Sequence, residues 1–468
     1  MNKDKKKKGF QVPNTYILIA FVVLVIAILS WIIPPGSYDY ERVEVNGTMR
    51  NIAIDGSFHY LEEGAGTPSG PLRYFASFYN GCMEAADIIF IIFICAGAMG
   101  VILKTGAFHA GIGALLRKMG NKDVLLVVIF MFVFGLGGTL FGMLEEFYAF
   151  VPLFVGLGVA MGYDAMFGMA IIALGSYMGF MGATMNPYTV GVAQAIAGVP
   201  LYSGTAFRVI CFITFEIAGI LYILNYGRKI KKNPELSVVY GDKCIHAFSK
   251  EDLEEYQFDK KKAFILLEIV VLLAIVMWGM MTQGWWFAEL AAFFVVMSII
   301  AAVVEGWSGE QYIDAFVDSI KDVVWGAMLT GVAKAIVVVM QDAMIMDTII
   351  YFLSNLMNGV PSALAAEAML VLQTFINFLV PSGSGQAAAT MPIMAPLADV
   401  LGVSRQTAVL AFQFGDGLSN LLWPTCGCVV ICGFANIPLQ KWWKFFIPFF
   451  FIIFALQATF VAISCFIW

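Results

Sequence analysis

Two adjacent carboxylates, Glu145 and Glu146, sit at the centre of an apolar run covering residues 123–161. A charged side chain at mid-bilayer costs about 2.5–3.5 kcal/mol on insertion scales, so such groups usually meet a cation, a proton or a water-filled cavity. Successive helical residues point about 100° apart, so the two carboxylates cannot share one direction. Asp416 has the same character: Gly415 and Gly417 flank it in an apolar stretch, with Ser419 and Asn420 close behind. Gly182-Ala-Thr184-Met-Asn186-Pro187 breaks one further apolar run, and Gly415-Asp416-Gly417-Leu418-Ser419-Asn420, followed by Trp423-Pro424-Thr425, breaks another. An Asn-Pro pair can also end a half-helix without holding any ligand. The turn Ser382-Gly383-Ser384-Gly385-Gln386 combines small side chains with free amides, which lets backbone approach a ligand closely. Lys334, within an apolar run, is open between a countercharge for a bound carboxylate and a pair with a neighbouring acid. Glu216, Glu289 and Glu367 read as scaffold contacts or helix ends.

These residue types suit binding better than bond-making chemistry. Carbonyls at broken helix ends and carboxylates favour a cation, while the amides of a helix start favour a substrate carboxylate. A Na⁺ near Glu145, Asn186 and Asp416, or a proton in its place, is the expected coupling ion, and no other cofactor is expected. No HExxH, Walker loop, nucleophile elbow or CxxC motif occurs, and His59, His109 and His246 are scattered, so no enzyme is expected. Cys426-x-Cys428-x₃-Cys432 has the look of a metal spacing, but it lies in an apolar half-helix without a histidine.

The elements that must hold these residues are membrane helices. Of the 468 residues, 60% are hydrophobic and 13% charged, and the mean hydropathy is +0.83, which excludes a soluble or disordered chain. A net charge of -6 gives no surface for nucleic acid. A span needs about 20 mostly apolar residues, and such stretches fall near 16–33, 86–103, 205–226, 263–282, 287–304, 323–341 and 445–466. The first, behind a lysine-rich tail, reads as a retained span rather than a signal peptide. Runs at 166–198 and 406–436 are broken in the middle. Segments 123–161 and 363–402 are too long for one span, and each carries a polar tip. Reading these two as re-entrant hairpins gives nine spans and places most basic residues on the cytoplasmic side, leaving Arg42, Arg50, Arg73, Arg208 and Arg405 outside, with the amino terminus in the cytoplasm and the carboxyl terminus outside.

An internal repeat supports the same layout. At an offset of about 240, Pro152 falls on Pro392, Leu157 on Leu397, Gly162 on Gly402 and Gly175 on Gly415. Ala197-Gly-Val-Pro200 likewise falls on Ala435-Asn-Ile-Pro438. The expected organisation is a basic tail (1–14), a first repeat (15–226), a cytoplasmic loop (227–262), a connecting span (263–283) and a second repeat (284–468). The extra span turns the second copy upside down. The fold class expected is an all-α polytopic membrane protein, an inverted-repeat transporter with its site at the repeat interface. The loop 37–70 reads as an extracytoplasmic flap.

The tips GMLEE and PSGSGQAAATMPIMAPLADVLGVSRQ, together with AFQFGDGLSNLLWPT, resemble the YfcC-type branch of the DcuC (C4-dicarboxylate anaerobic carrier) family along nearly the whole chain. The family is similar to the wider ion transporter superfamily. That resemblance implies a homodimer in the bacterial cytoplasmic membrane, with a scaffold and a moving transport domain that carries both hairpins. It also implies elevator-like alternating access driven by Na⁺ or H⁺. Within such a family the substrate is a small carboxylate-bearing metabolite. With Lys334 alone inside a span and no arginine expected at a break, the residues lean to amino acids, basic ones included. C4-dicarboxylates come second; a cation/proton antiporter without organic substrate, and a membrane-embedded enzyme or assembly subunit, are the remaining alternatives.

Overall fold

The computed structural model describes residues 15–45, 48–62, 64–119, 123–242, 244, 257–283, 285, 287–356 and 361–468. The expected basic tail, and residues 243 and 245–256 of the central loop, lie outside the described residues. Helices α1 (Thr15–Leu29), α2 (Pro71–Glu84), α3 (Ala86–Lys104) and α4 (Ala107–Met119) come first. The first hairpin follows as α5 (Asp123–Phe141), a one-turn α6 (Glu145–Tyr148) and α7 (Val151–Ala160). A broken helix, α8 (Ala165–Gly182) and α9 (Val190–Ala197), leads to the long α10 (Thr205–Lys232) and the connecting α11 (Lys260–Gln283). The second half repeats the plan with α12 (Phe287–Glu305), α13 (Gly309–Asp342), α14 (Met346–Asn355), α15 (Ser362–Leu379) and α16 (Gly383–Leu401). It ends with the broken helix α17 (Arg405–Ser419) and α18 (Gly427–Ala435), and with α19 (Leu439–Ile467).

The repeat is visible in the backbone. Gly162 and Gly402, paired by the sequence offset, both take left-handed φ (79° and 70°) just before a broken helix. Two residues on, Asp164 accepts the Phe167 amide at 2.7 Å and Ser404 accepts the Thr407 amide at 3.0 Å. Such side-chain caps satisfy orphan amides that lipid cannot. At the far ends, Gly198 and Asn436 both close their half-helices in the left-handed region.

The two broken helices run in opposite directions. The start of α8 (Asp164, Ala165) and the end of α18 (Ala435, Asn436, Ile437) line one cavity. At the other end, Arg405 at the start of α17 donates to Ala197 O at the end of α9, at 2.9 Å. Between them the carboxyl ends of α8 and α17 meet, with Gln413 Nε2 donating to Phe180 O at 2.9 Å. Both arms of the first hairpin, α5 and α7, pack along α8, and both arms of the second, α15 and α16, pack along α17. Every residue of α8 is buried, as expected of a helix apolar on all sides.

In space the helices form two groups, each with members from both halves. Helices α1–α4 pack with α11–α13, while α5–α10 pack with α15–α19. Helix α13 lies against α18 and joins the groups. Large apolar side chains such as Phe21 and Leu24 on α1, Phe264 and Leu267 on α11, and Phe451 on α19 point outward, where lipid would surround them. Among the described residues, seven helices are long and apolar enough to cross a membrane. Residues 323–341, expected as one span, belong to a 34-residue helix. Helices α2, α4 and α14 went unforeseen because polar residues break their short apolar runs.

Within the flap, strands β1 (Gly36–Ser37) and β4 (His59–Tyr60) pair antiparallel, as do β2 (Tyr40–Val45) and β3 (Thr48–Ala53). The Tyr40 hydroxyl donates to the Asp347 carboxylate at 2.8 Å, and Phe58 stacks on Tyr351, so α14 anchors the flap. Burial, reinforced by Asp347, pushes the Tyr40 phenol well above its ordinary pKa.

Close backbone approach between α5 and α8 needs glycine. A methyl group at Gly179 would run into Gly135 O, and one at Gly138 into Ser176 O. Gly179→Val should therefore lower stability by about 1–3 kcal/mol or more, read as a drop in melting temperature in detergent. Gly309→Ala, where a methyl meets open space, should leave it unchanged.

Candidate functional site

The first tip is stitched to the first break. Helix α5 ends at Phe141, and Gly142 turns the chain with φ at 70°. A methyl there would be strained and would lie 2.5 Å from Asn186 Oδ1, so only glycine fits. Thr139 Oγ1 accepts the Thr184 amide at 3.0 Å, while Thr139 O accepts the Met185 amide at 3.1 Å. Asn186 Oδ1 accepts the Tyr188 amide at 2.9 Å, but its buried Nδ2 has no partner.

The two glutamates separate as helix geometry requires. Glu146 is buried, and its Oε2 accepts the Leu144 amide at 3.1 Å, closing the turn. Glu145 is half-buried and interacts electrostatically with Tyr148 and Tyr177. Those two hydroxyls share a 2.6 Å hydrogen bond and press against Gly427 at the start of α18.

The second tip is shorter than the sequence suggests. Only Val380–Ser382 is non-helical, and Gly383, Ser384 and Gln386 form the first turn of α16. Ser382 caps that turn, accepting the Gly385 amide at 3.3 Å. A methyl on Gly383 would lie 3.0 Å from Asp416 Oδ2 and 2.5 Å from Thr189 Cγ2, so the tip touches both broken helices. Gln386 instead braces the hairpin arms, its Nε2 donating to Gln373 O at 2.9 Å and Gln373 Oε1 at 2.7 Å.

The stretch 415–419, expected inside the second break, is helical, and the break covers residues 420–426. Asp416 is therefore held in the last turn of α17. Asn377 Nδ2 donates to Asp416 O at 3.0 Å and to Ser419 Oγ at 2.7 Å. Asn420 Nδ2 donates to Asp416 O at 2.7 Å, and Thr425 Oγ1 donates to Phe378 O at 3.1 Å. Asp416 is fully buried, yet Oδ2 has no partner, and the same holds for the nearby Thr189 Oγ1.

Each tip thus rests on the start of the half-helix from the opposite repeat. Gly383 meets Thr189, which precedes α9, while Tyr148, beside Glu145, meets Gly427 of α18. Around Gly383 the unpartnered Asp416 and Thr189 oxygens line one interface. Lys334 is half-buried near Cys426 and makes no ion pair among the described residues. Glu216, expected as a scaffold contact, is buried against Gly135 with neither carboxylate oxygen bonded. Arg208, expected outside, is fully buried in α10 without a partner for any guanidinium nitrogen. Thr139, Thr189, Asn377, Tyr148 and Tyr177 also contact the tips and breaks and went unnamed in the sequence. All but Thr189, which lies in the first break itself, are polar groups inside apolar runs, which is the signal that could have found them.

Opposed broken helices clasped by hairpins define a multi-span membrane carrier fold. The chain matches the family described as C4-dicarboxylate anaerobic carrier (DcuC) over residues 12–465 and belongs to that family. It is 31% identical over 477 residues to the "Putative basic amino acid antiporter YfcC" of Escherichia coli (strain K12), covering 95% of this chain and 94% of that one. It is also 31% identical to an uncharacterized protein of Haemophilus influenzae, with 96% of each chain covered. Among solved structures, the Alcanivorax borkumensis YdaH transporter aligns with a TM-score of 0.43 at 15% identity, covering 96% of this chain and 98% of that one.

The two glutamates should respond differently to substitution. Glu145→Gln should remove the cation or pH dependence of uptake in vesicles while leaving membrane expression intact. Glu146→Gln, which weakens the turn at Leu144, should chiefly lower the yield of folded protein. Equal, wild-type behaviour of both would take the first tip out of the mechanism.

Proposed function

We propose that the chain is an ion-coupled secondary carrier of small carboxylate-bearing metabolites, with amino acids, basic ones included, as the leading substrates. The observation that carries this reading is the pair of crossed contacts between hairpin tips and opposing half-helices, with unpartnered buried polar atoms beside them. Buried polar groups are normally hydrogen-bonded, so Asn186 Nδ2, Thr189 Oγ1 and Asp416 Oδ2 are groups that a ligand or ion would satisfy. Asp416 and the loosely engaged Glu145 supply negative charge for Na⁺, H⁺ or a substrate ammonium. The starts of α9 and α18 supply amides for a carboxylate. The name of the Escherichia coli relative, "Putative basic amino acid antiporter YfcC", points the same way.

In this reading both hairpins are re-entrant, the amino terminus is cytoplasmic and the protein works as a homodimer in the cytoplasmic membrane. The group built on α13 is the scaffold, and the group holding both tips moves across the bilayer. A C4-dicarboxylate is the second reading, favoured by the family's description. A proteoliposome counterflow panel of amino acids and dicarboxylates separates the two. We expect saturable exchange of an amino acid that a Na⁺ or pH gradient stimulates. Ion exchange with no organic solute moved would overturn the reading.

Asp416→Asn keeps the size and the backbone contacts of Asp416 but deletes its charge. It should lower transport about tenfold or more, the scale of one charged hydrogen bond, without lowering membrane expression. Loss of folded protein instead would assign Asp416 to structure.

A further inference from the structure

Arg208 lies one turn into α10 and is fully buried, and its Nε, Nη1 and Nη2 all lack a partner. Its helix face is fixed by two neighbours. Thr205 Oγ1 donates to Thr184 O at 3.2 Å, and the Phe212 backbone packs against Gly182, where a methyl would lie 2.8 Å from Phe212 Cα. Residues i, i+3 and i+7 share one side of an α-helix, so Thr205, Arg208 and Phe212 all face the first break. Arg208 sits between two contacts that bracket Gly182–Thr184.

We propose that Arg208 is the residue that binds the carboxylate of the transported solute, an inference that rests on the carrier reading above. A guanidinium holds its charge across physiological pH and offers five donors in a fork that fits a carboxylate. Among the described residues it forms no ion pair. Glu216, two turns along the same helix, points instead to Gly135. An unpaired buried charge beside a backbone break, in a chain that carries solutes, is a site awaiting an anion. The break adds neutral donors, since Asn186 Nδ2 is buried and unpartnered there as well.

Asp416 lies on another side of the α8 terminus, where Gly417 packs against Met181. The two charges therefore flank the end of α8 from different helices. A solute with a carboxylate at one end and a cationic group at the other matches that separation of sign. The decarboxylated amine, which keeps the cation but lacks the acid, does not.

The test uses the full-length protein in proteoliposomes, with labelled L-arginine, L-lysine and succinate as probes. Unlabelled agmatine, cadaverine and succinamide serve as competitors lacking the carboxylate. Wild type should prefer each carried acid over its matched competitor by about tenfold or more, as expected for a hydrogen-bonded charge. Arg208→Gln should raise KM by a similar factor and erase that preference. Arg208→Lys, which keeps the charge but not the fork, should fold and give an intermediate KM. A wild-type KM and preference in either folded variant would overturn the assignment while leaving the carrier reading intact. If chloride protects the purified protein against heat as well as a carried acid does, the site is a generic anion site and the assignment fails. Wild type that moves none of the three probes would instead sink the carrier reading, and this inference with it.

Discussion

The interaction on which the architecture depends is the meeting of two interrupted helices at their carboxyl ends. A helix that stops inside the bilayer leaves carbonyls and amides that lipid cannot satisfy. Here the interruptions satisfy one another. Gln413 of α17 reaches the Phe180 carbonyl near the end of α8, and Gln457 of α19 reaches the Phe414 carbonyl, both at 2.9 Å. Trp423 in the second break donates to Thr374 O at 2.6 Å. From the hairpin side, Thr139 Oγ1 accepts the Thr184 amide of the first break. Take away the opposed partner, and each break becomes a row of orphaned backbone groups in hydrocarbon.

That mutual dependence explains why the hairpins clasp the broken helices so closely. Gly138 and Gly179 on one side, and Gly415 and Gly417 on the other, bring backbones together where a methyl would collide. The two halves are related in backbone but not in chemistry. The first tip carries two acids and packs on two tyrosine hydroxyls, while the second carries serine and glycine and packs on a carboxylate. An exchange of partners between repeats therefore places acid and small polar groups on both sides of one interface. The breaks differ too. The first turns through Thr184 and Asn186, and the second through Asn420 and Thr425, with Asp416 just before it on a helix.

Much of this was legible in the sequence because proline, glycine and charge in apolar surroundings have few structural excuses. The offset of Gly162 and Gly402 reappears as matched left-handed turns, and Ala197-Gly with Ala435-Asn as matched helix ends. What stayed hidden had physical reasons. Ser382–Gln386 reads as a loop by composition, yet a serine cap and a glutamine brace let α16 begin at Gly383. Glycines around Asp416 suggest a break, but tertiary contacts from Asn377 hold that turn helical. Arg208 sits near the end of an apolar run, where positive-inside counting assigns a lone arginine to the outer surface. Whether such a residue points to lipid headgroups or to the protein depends on helix phase, which only the contacts of Thr205 and Phe212 resolve.

The buried ionisable groups differ in how readily they give up their charge. Asp416 and Glu216 are buried without a cationic partner, while Arg208 is buried without an anionic one. No ion pair joins these groups among the described residues: Arg208 and Glu216 lie about two turns apart on α10, with Glu216 against Gly135, and Asp416 belongs to α17. A buried carboxyl without a cation beside it takes up a proton rather than stay charged, so the guanidinium is the group whose burial calls for a counter-ion. An anion held beside Arg208 would offset that cost, so occupancy of the first break and the stability of the packing around the end of α8 would rise together.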